Sequence, residues 1–171
     1  MRTLLIATAL LTPGTAWAAN GDIGCIEAKL GVDAMARIGA RVVSTVEKGR
    51  SGDPLADDRD ALLAARAACQ QANGWSGNAT QLAVSYTLAA ATRQGAEPTL
   101  KRNGFDPAAL AARYSAMAAV DRRSLVDGDP SDKAKDVVAV AAVDPSRKYL
   151  VMLWFSVLAA LEFDKADFAA A

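Results

Sequence analysis

The chain has no histidine at all, only two cysteines, and aromatic residues at 6 % of its 171 positions. The missing histidines remove the commonest general base and the commonest metal ligand. They also exclude a Ser–His or Cys–His nucleophile pair, and a zinc site would have to be built from cysteine and carboxylates alone. No charge of one sign dominates, since 19 Lys plus Arg balance 19 Asp plus Glu. A nucleic-acid-binding protein usually carries a basic excess, so that class of partner is not expected. A hydrophobic content of 52 % with no net charge argues against intrinsic disorder. Long apolar runs are absent too. The longest is Tyr149 to Leu161, thirteen residues broken only by Ser156. At 1.5 Å per residue it covers about 20 Å, against a hydrocarbon core of roughly 30 Å. Alanine is what the chain has in abundance, 39 residues, and alanine favours helix and close helix–helix approach.

The first residues read as an address. Arg2 gives a positive start, Leu4 to Leu11 an apolar core interrupted by Thr8, and Pro13-Gly14 a break. Ala16-Trp17-Ala18 then places small residues where a signal peptidase reads. This is the three-part pattern of a secretory signal peptide, with cleavage expected after Ala18. The apolar stretch is too short for a membrane anchor, and Asp22-Ile23-Gly24 before Cys25 does not resemble a lipidation site. The expected organisation is therefore a signal peptide over 1–18 and one helical domain over 19–171, periplasmic or secreted. About 153 residues suit one domain, which buries roughly 68–70 % of its unfolded surface.

Cys25 and Cys69 both fall in the exported part. In an oxidising compartment the expected state is a disulfide between them. A redox-active thiol would favour Cys-x-x-Cys, which does not occur. An intermolecular bridge is the other alternative.

Turn signals divide the remainder into helix-sized pieces. Asp-Pro occurs at Asp53-Pro54, Asp106-Pro107, Asp129-Pro130 and Asp144-Pro145, pairing a capping side chain with a residue suited to the first helical position. The intervals share no period, against a helical solenoid. A first helical region is expected from Asp22 to Lys48, with Ile23, Ile26, Leu30, Met35, Ile38, Val42 and Val46 at helical spacing and a break near Gly31 and Asp33. A second runs from Pro54 to Asn73, stopped by Asn73-Gly74. A third, capped by Asn78 with Gln81 in a capping box, ends at Gly95 and leaves Thr99 to Arg102 as a separate turn. A fourth spans Pro107 to just before Gly128, a fifth Ser131 to Val143, and a sixth begins near Ser146. A helix apolar on all sides is usually wrapped by others, so the last is expected at the centre. The fold class is all-α, a single-domain bundle of five to seven helices around the apolar C-terminal helix, after a cleaved signal peptide.

Motifs with chemistry are sparse. Gly74-Trp75-Ser76-Gly77-Asn78 lacks the final glycine and the preceding strand of a nucleophile elbow. Asp127 to Asp132 starts like a calcium loop but has Asp132 where glycine is required and Val138 where a bidentate Glu is required. Asp57, Asp58 and Asp60 form an acidic first turn that complements the helix dipole. No Walker-type loop or dinucleotide fingerprint occurs. No catalytic set, cofactor or metal site is therefore expected. Asn78-Ala79-Thr80 fits both a glycosylation acceptor and a helix cap. Trp75, in a glycine-flanked loop, and Phe105, after Asn103-Gly104, are the candidates for partner contact, since tryptophan is enriched at hot spots. Both also fit as lids closing the ends of the core.

The leading functional expectation is a non-catalytic binding or interaction protein, such as an inhibitor, an immunity-like factor or an envelope adaptor. Its partner would be another envelope or secreted protein, and after cleavage it would not be an integral membrane protein. One alternative is a carrier holding an apolar small molecule between the helices, in a cavity of roughly 300–1,000 Å³. Another is an enzyme using carboxylates, tyrosine or lysine, which would need a cleft holding a carboxyl with raised pKa.

Overall fold

The computed structural model describes residues 21–49, 53–142 and 144–171. The expected signal peptide over 1–18 lies outside the described residues. Within them the chain is a single all-α domain. Its helices are α1 (Cys25–Lys48), α2 (Arg59–Asn73), α3 (Gly77–Arg102), α4 (Pro107–Ser115), α5 (Ala119–Ser124), α6 (Asp132–Ala141) and α7 (Lys148–Ala170), with a 3-10 turn (Pro145–Arg147) leading into α7. No strand occurs among the described residues, and none of their helices is long and apolar enough to cross a membrane.

The apolar C-terminal run does take the centre. Helix α7 packs against α1, α3, α4, α5, α6 and the 3-10 turn. Leu150, Val151, Trp154, Phe155, Val157 and Ala159 are all buried there. Leu100, Leu110, Tyr114 and Val138 complete this main core. A second core lies at the other end of the domain and holds Ile26, Leu62, Cys69, Trp75 and Phe168.

Helix α3 is the second long spine, packed on α1 along one side and α7 along another. Its buried residues are mostly alanine and threonine. Thr80, Thr87 and Thr92 donate their hydroxyls to the carbonyls of Ser76, Ala83 and Leu88, four residues back, at 2.7–2.8 Å. A buried hydroxyl left without a partner is costly, and these bonds supply one within the helix itself. Small side chains let α1 come very close. At Gly39 and Gly95 the two backbones meet directly: a Cβ on Gly39 would sit 2.0 Å from the Ala91 carbonyl oxygen.

Several boundaries differ from the sequence expectations. Helix α3 does not stop at Gly95 but runs through it and through Pro98 to Arg102. Gly95 is needed for the close crossing with α1, and tertiary packing there outweighs its poor helix propensity. The cap of α3 is Ser76, not Asn78. Ser76 is extended and its Oγ accepts from the Ala79 N–H at 3.0 Å, whereas Asn78 is already helical. Helix α2 begins at Arg59, not Pro54, because the Asp53 carboxylate accepts from the Leu55 N–H and folds the chain into a turn first. The expected fourth helix is two. Ala118 is extended, and Arg122 donates to the Met117 carbonyl at 2.6 Å, satisfying an oxygen that the break exposes. Helix α1 is interrupted at Gly31, whose φ of 76° suits glycine. Ser131, not Asp129, caps α6, accepting from Ala134 at 3.1 Å. That helix ends at Ala141, and Val143 lies outside the described residues.

Candidate functional site

Cys25 opens α1 and Cys69 lies in the last turns of α2, with Cα atoms 6.0 Å apart and their sulfurs joined. Asn73 donates to the Cys69 carbonyl at 2.9 Å and steadies the end of α2 beside the bridge. Cys69 is buried in the second core and Cys25 is half-buried against it, a structural setting for the bridge.

The best-built surface feature lies where the α4–α5 corner meets α6. Met117, Ala118 and Val137 supply an apolar lining, and Asp121, Lys133 and Asp136 supply the polar part of a cleft of about 420 Å³. Its walls are held firmly. Ser131 Oγ donates to the buried Asp121 carboxylate at 2.8 Å while capping α6. Ser124 Oγ accepts from the Ser131 N–H at 2.9 Å. Helix α5 is in turn clamped to α7 by two forked pairs: Arg122 to Glu162 at 2.8 and 3.0 Å, and Arg123 to Asp167 at 2.7 and 3.1 Å. Paired N–H···O bonds of this kind fix orientation as well as charge. Val140, one turn along α6 from Val137, is 70 % exposed, and Val120 at the start of α5 is 74 % exposed.

The titratable groups around α7 have clear physical states. The Tyr114 hydroxyl donates to Glu162 at 2.6 Å. Burial, reinforced by that carboxylate, pushes the Tyr114 pKa well above the usual phenol range. The Arg122 guanidinium beside Glu162 holds its carboxyl below the ordinary value. Asp164 is different. It is 3 % exposed, and its Oδ2 is buried without a hydrogen-bond partner. Burial raises its pKa, opposed in part by a hydrogen bond from Ser85. It is not among the residues that line the cleft. The Trp154 Nε1 is also buried without a partner.

The two candidate contact residues fall out differently. Trp75 is 5 % exposed and packs edge-on against Phe168, with ring centroids 5.2 Å apart. Its ring lies in the second core, so its flat surface is not offered to a partner. Phe105 is half-buried against the main core, just past the turn that closes α3. The C-terminal Phe168 is likewise packed.

Sequence reading missed Asp58. In place of a solvated dipole partner it is a buried carboxylate receiving Arg37 at 2.8 Å and Arg41 at 3.4 Å from α1. The Asp57 carboxylate also takes Arg41, at 2.6 Å. The only hint was helical spacing of Arg37 and Arg41 on one face of α1. Asp164 and the Glu162–Arg122 pair had no local signal, because their partners lie on helices distant in sequence. Among the described residues, no group of three or more His, Cys, Asp or Glu is placed to hold a metal ion. No protein-family model, no curated protein and no solved structure matches the chain.

Proposed function

We propose that the chain is a non-catalytic binding protein of an exported, oxidising compartment, and that it docks a partner protein at the α5–α6 cleft. The observation that carries the reading is the apolar lining of Met117, Ala118 and Val137, continued outward by exposed Val140, on walls fixed by buried polar contacts. A rigid apolar depression bounded by polar groups is the form of a partner hot spot, because no ordering cost falls on the receiving side. The Cys25–Cys69 bridge supports an oxidising location.

Charge indicates the partner's chemistry. The charged groups that line the cleft are Asp121 and Asp136 against Lys133. The neighbouring Arg122 and Arg123 are already engaged by Glu162 and Asp167. The lining therefore carries two carboxyls against one ammonium, and fits a segment with one or two apolar side chains flanked by Lys or Arg. The carrier alternative finds less support, because α1 and α3 meet backbone to backbone at Gly39 and Gly95, and the groove of about 370 Å³ beside that crossing opens to solvent and carries Glu47, Gln94 and Arg102 among its lining.

A photo-reactive residue at position 140, in the chain produced in its own exported compartment, tests this directly. The expected result is a discrete protein adduct that is lost with Val137→Glu and weakened by added salt. Position 63 on α2, equally a surface apolar site, serves as the control. Adducts equal at both positions, or none at 140, would refute the proposal. A small molecule retained by the purified chain in native mass spectrometry would favour the carrier.

A further inference from the structure

The last turns of α7 hold an unusual combination. Asp164 is enclosed between α7 and α3, with one carboxyl oxygen unpartnered and Ser85 of α3 bonding to the group. One turn on, Phe168 seals Trp75 into the second core. Residues four apart lie on the same helix face, so Asp164 and Phe168 dock or leave together. The charged groups that act on Asp164 are Asp167 on α7 and Arg123 on α5. Asp167 already holds Arg123 in a forked pair.

We infer that Asp164 is a proton-operated latch: as a neutral acid it keeps the C-terminal turns of α7 docked on α3, and on ionising it releases them and uncovers Phe168 and Trp75. This goes beyond the docking reading above and does not depend on it. A carboxylate sealed from water needs a cation or several donors. The nearby guanidinium is committed to Asp167, so ionised Asp164 must either draw Arg123 off or turn outward to solvent. Both movements loosen the α5–α7–α3 corner.

The direction with pH follows from linkage. The docked state holds the Asp164 proton more tightly than the released state does, because burial raises its pKa. Release is therefore at its minimum in acid. It grows about tenfold per pH unit from the ordinary carboxylate range up to the raised midpoint, and is flat above it. Ser85 donates to the charged form and lowers that midpoint, so Ser85→Ala should carry the rise to higher pH.

The test uses the full oxidised chain. Carboxyl carbon NMR should show Asp164 titrating above the ordinary carboxylate range, and hydrogen-exchange protection of amides 165–171, corrected for intrinsic rates, should fall over the same interval. Asp164→Asn, which mimics the neutral acid, should keep that protection constant with pH. Should this variant not fold, the upward displacement in Ser85→Ala makes the same distinction. Titration of Asp164 within the ordinary carboxylate range would overturn the inference. So would an unchanged pH dependence of protection in Asp164→Asn, or an unmoved interval in Ser85→Ala.

Discussion

Replacing Gly39 by alanine isolates the contact on which the α1–α3 pair depends. Taken alone, alanine in a helix interior gains about 1 kcal/mol over glycine. Here the new methyl carbon would lie 2.0 Å from the Ala91 carbonyl oxygen and 2.8 Å from its carbon, and the contact must open beyond 3.0 Å. The obstacle is backbone, so no side chain can rotate aside. From the other helix, a Cβ on Gly95 would meet Gly39 backbone atoms at 2.5 Å. Overpacking of this kind costs about 1–3 kcal/mol, and rigid atoms on both sides place it at the upper end. After the propensity gain, a net loss of about 2 kcal/mol remains, or a fall in Tm of about 4–8 °C for a domain this size. Gly77 is the internal control, because it opens α3 in space with nothing within 4 Å. Gly77→Ala should leave Tm unchanged or raise it. Urea and thermal unfolding of both variants measure the pair. A Gly39→Ala protein as stable as the parent would refute the backbone crossing.

Reduction of the Cys25–Cys69 bridge, which spans 44 residues, should lower stability by about 4 kcal/mol on the chain-entropy model, measured by urea unfolding with and without reductant. Tyr114 should stay protonated in alkali where an ordinary tyrosine ionises, since burial and Glu162 raise its pKa. Its folded pKa exceeds its unfolded one, so folding stability falls as pH rises through the usual phenol range. Ultraviolet titration of the folded chain, with Tyr114→Phe removing a component that ionises above the usual phenol range, checks this. The same substitution leaves Glu162 its Arg122 pair and should cost about 1 kcal/mol, below the range for bonds to charged groups because Glu162 is partly exposed.

Local rules made much of the fold legible. Ser131 and Asp106 cap their helices by accepting from Ala134 and Ala108, as short-range geometry requires. Gly31 interrupts α1 where its neighbours suggested, and the apolar run from Tyr149 settles at the centre. Such features depend on residues within about one turn of each other, or on how much apolar surface a helix must hide. The cysteine pairing was accessible because only one intramolecular partner existed.

Where an element's fate depended on a distant neighbour, sequence reading stopped short. Gly95 looks like a helix stop, yet α1 approaches so closely that no side chain fits there. Trp75 fits either a partner contact or a lid on the core until Phe168, 93 positions later by number, covers it and decides for the lid. Asp58 and Asp164 have unremarkable local surroundings, and only packing decides that one receives two arginines while the other is sealed with a bare oxygen. Composition and periodicity determined that this chain is helical and which faces turn inward. Which backbones touch and which carboxyls leave water were settled by tertiary structure, because both depend on the distance between helices and not on the order of residues within one.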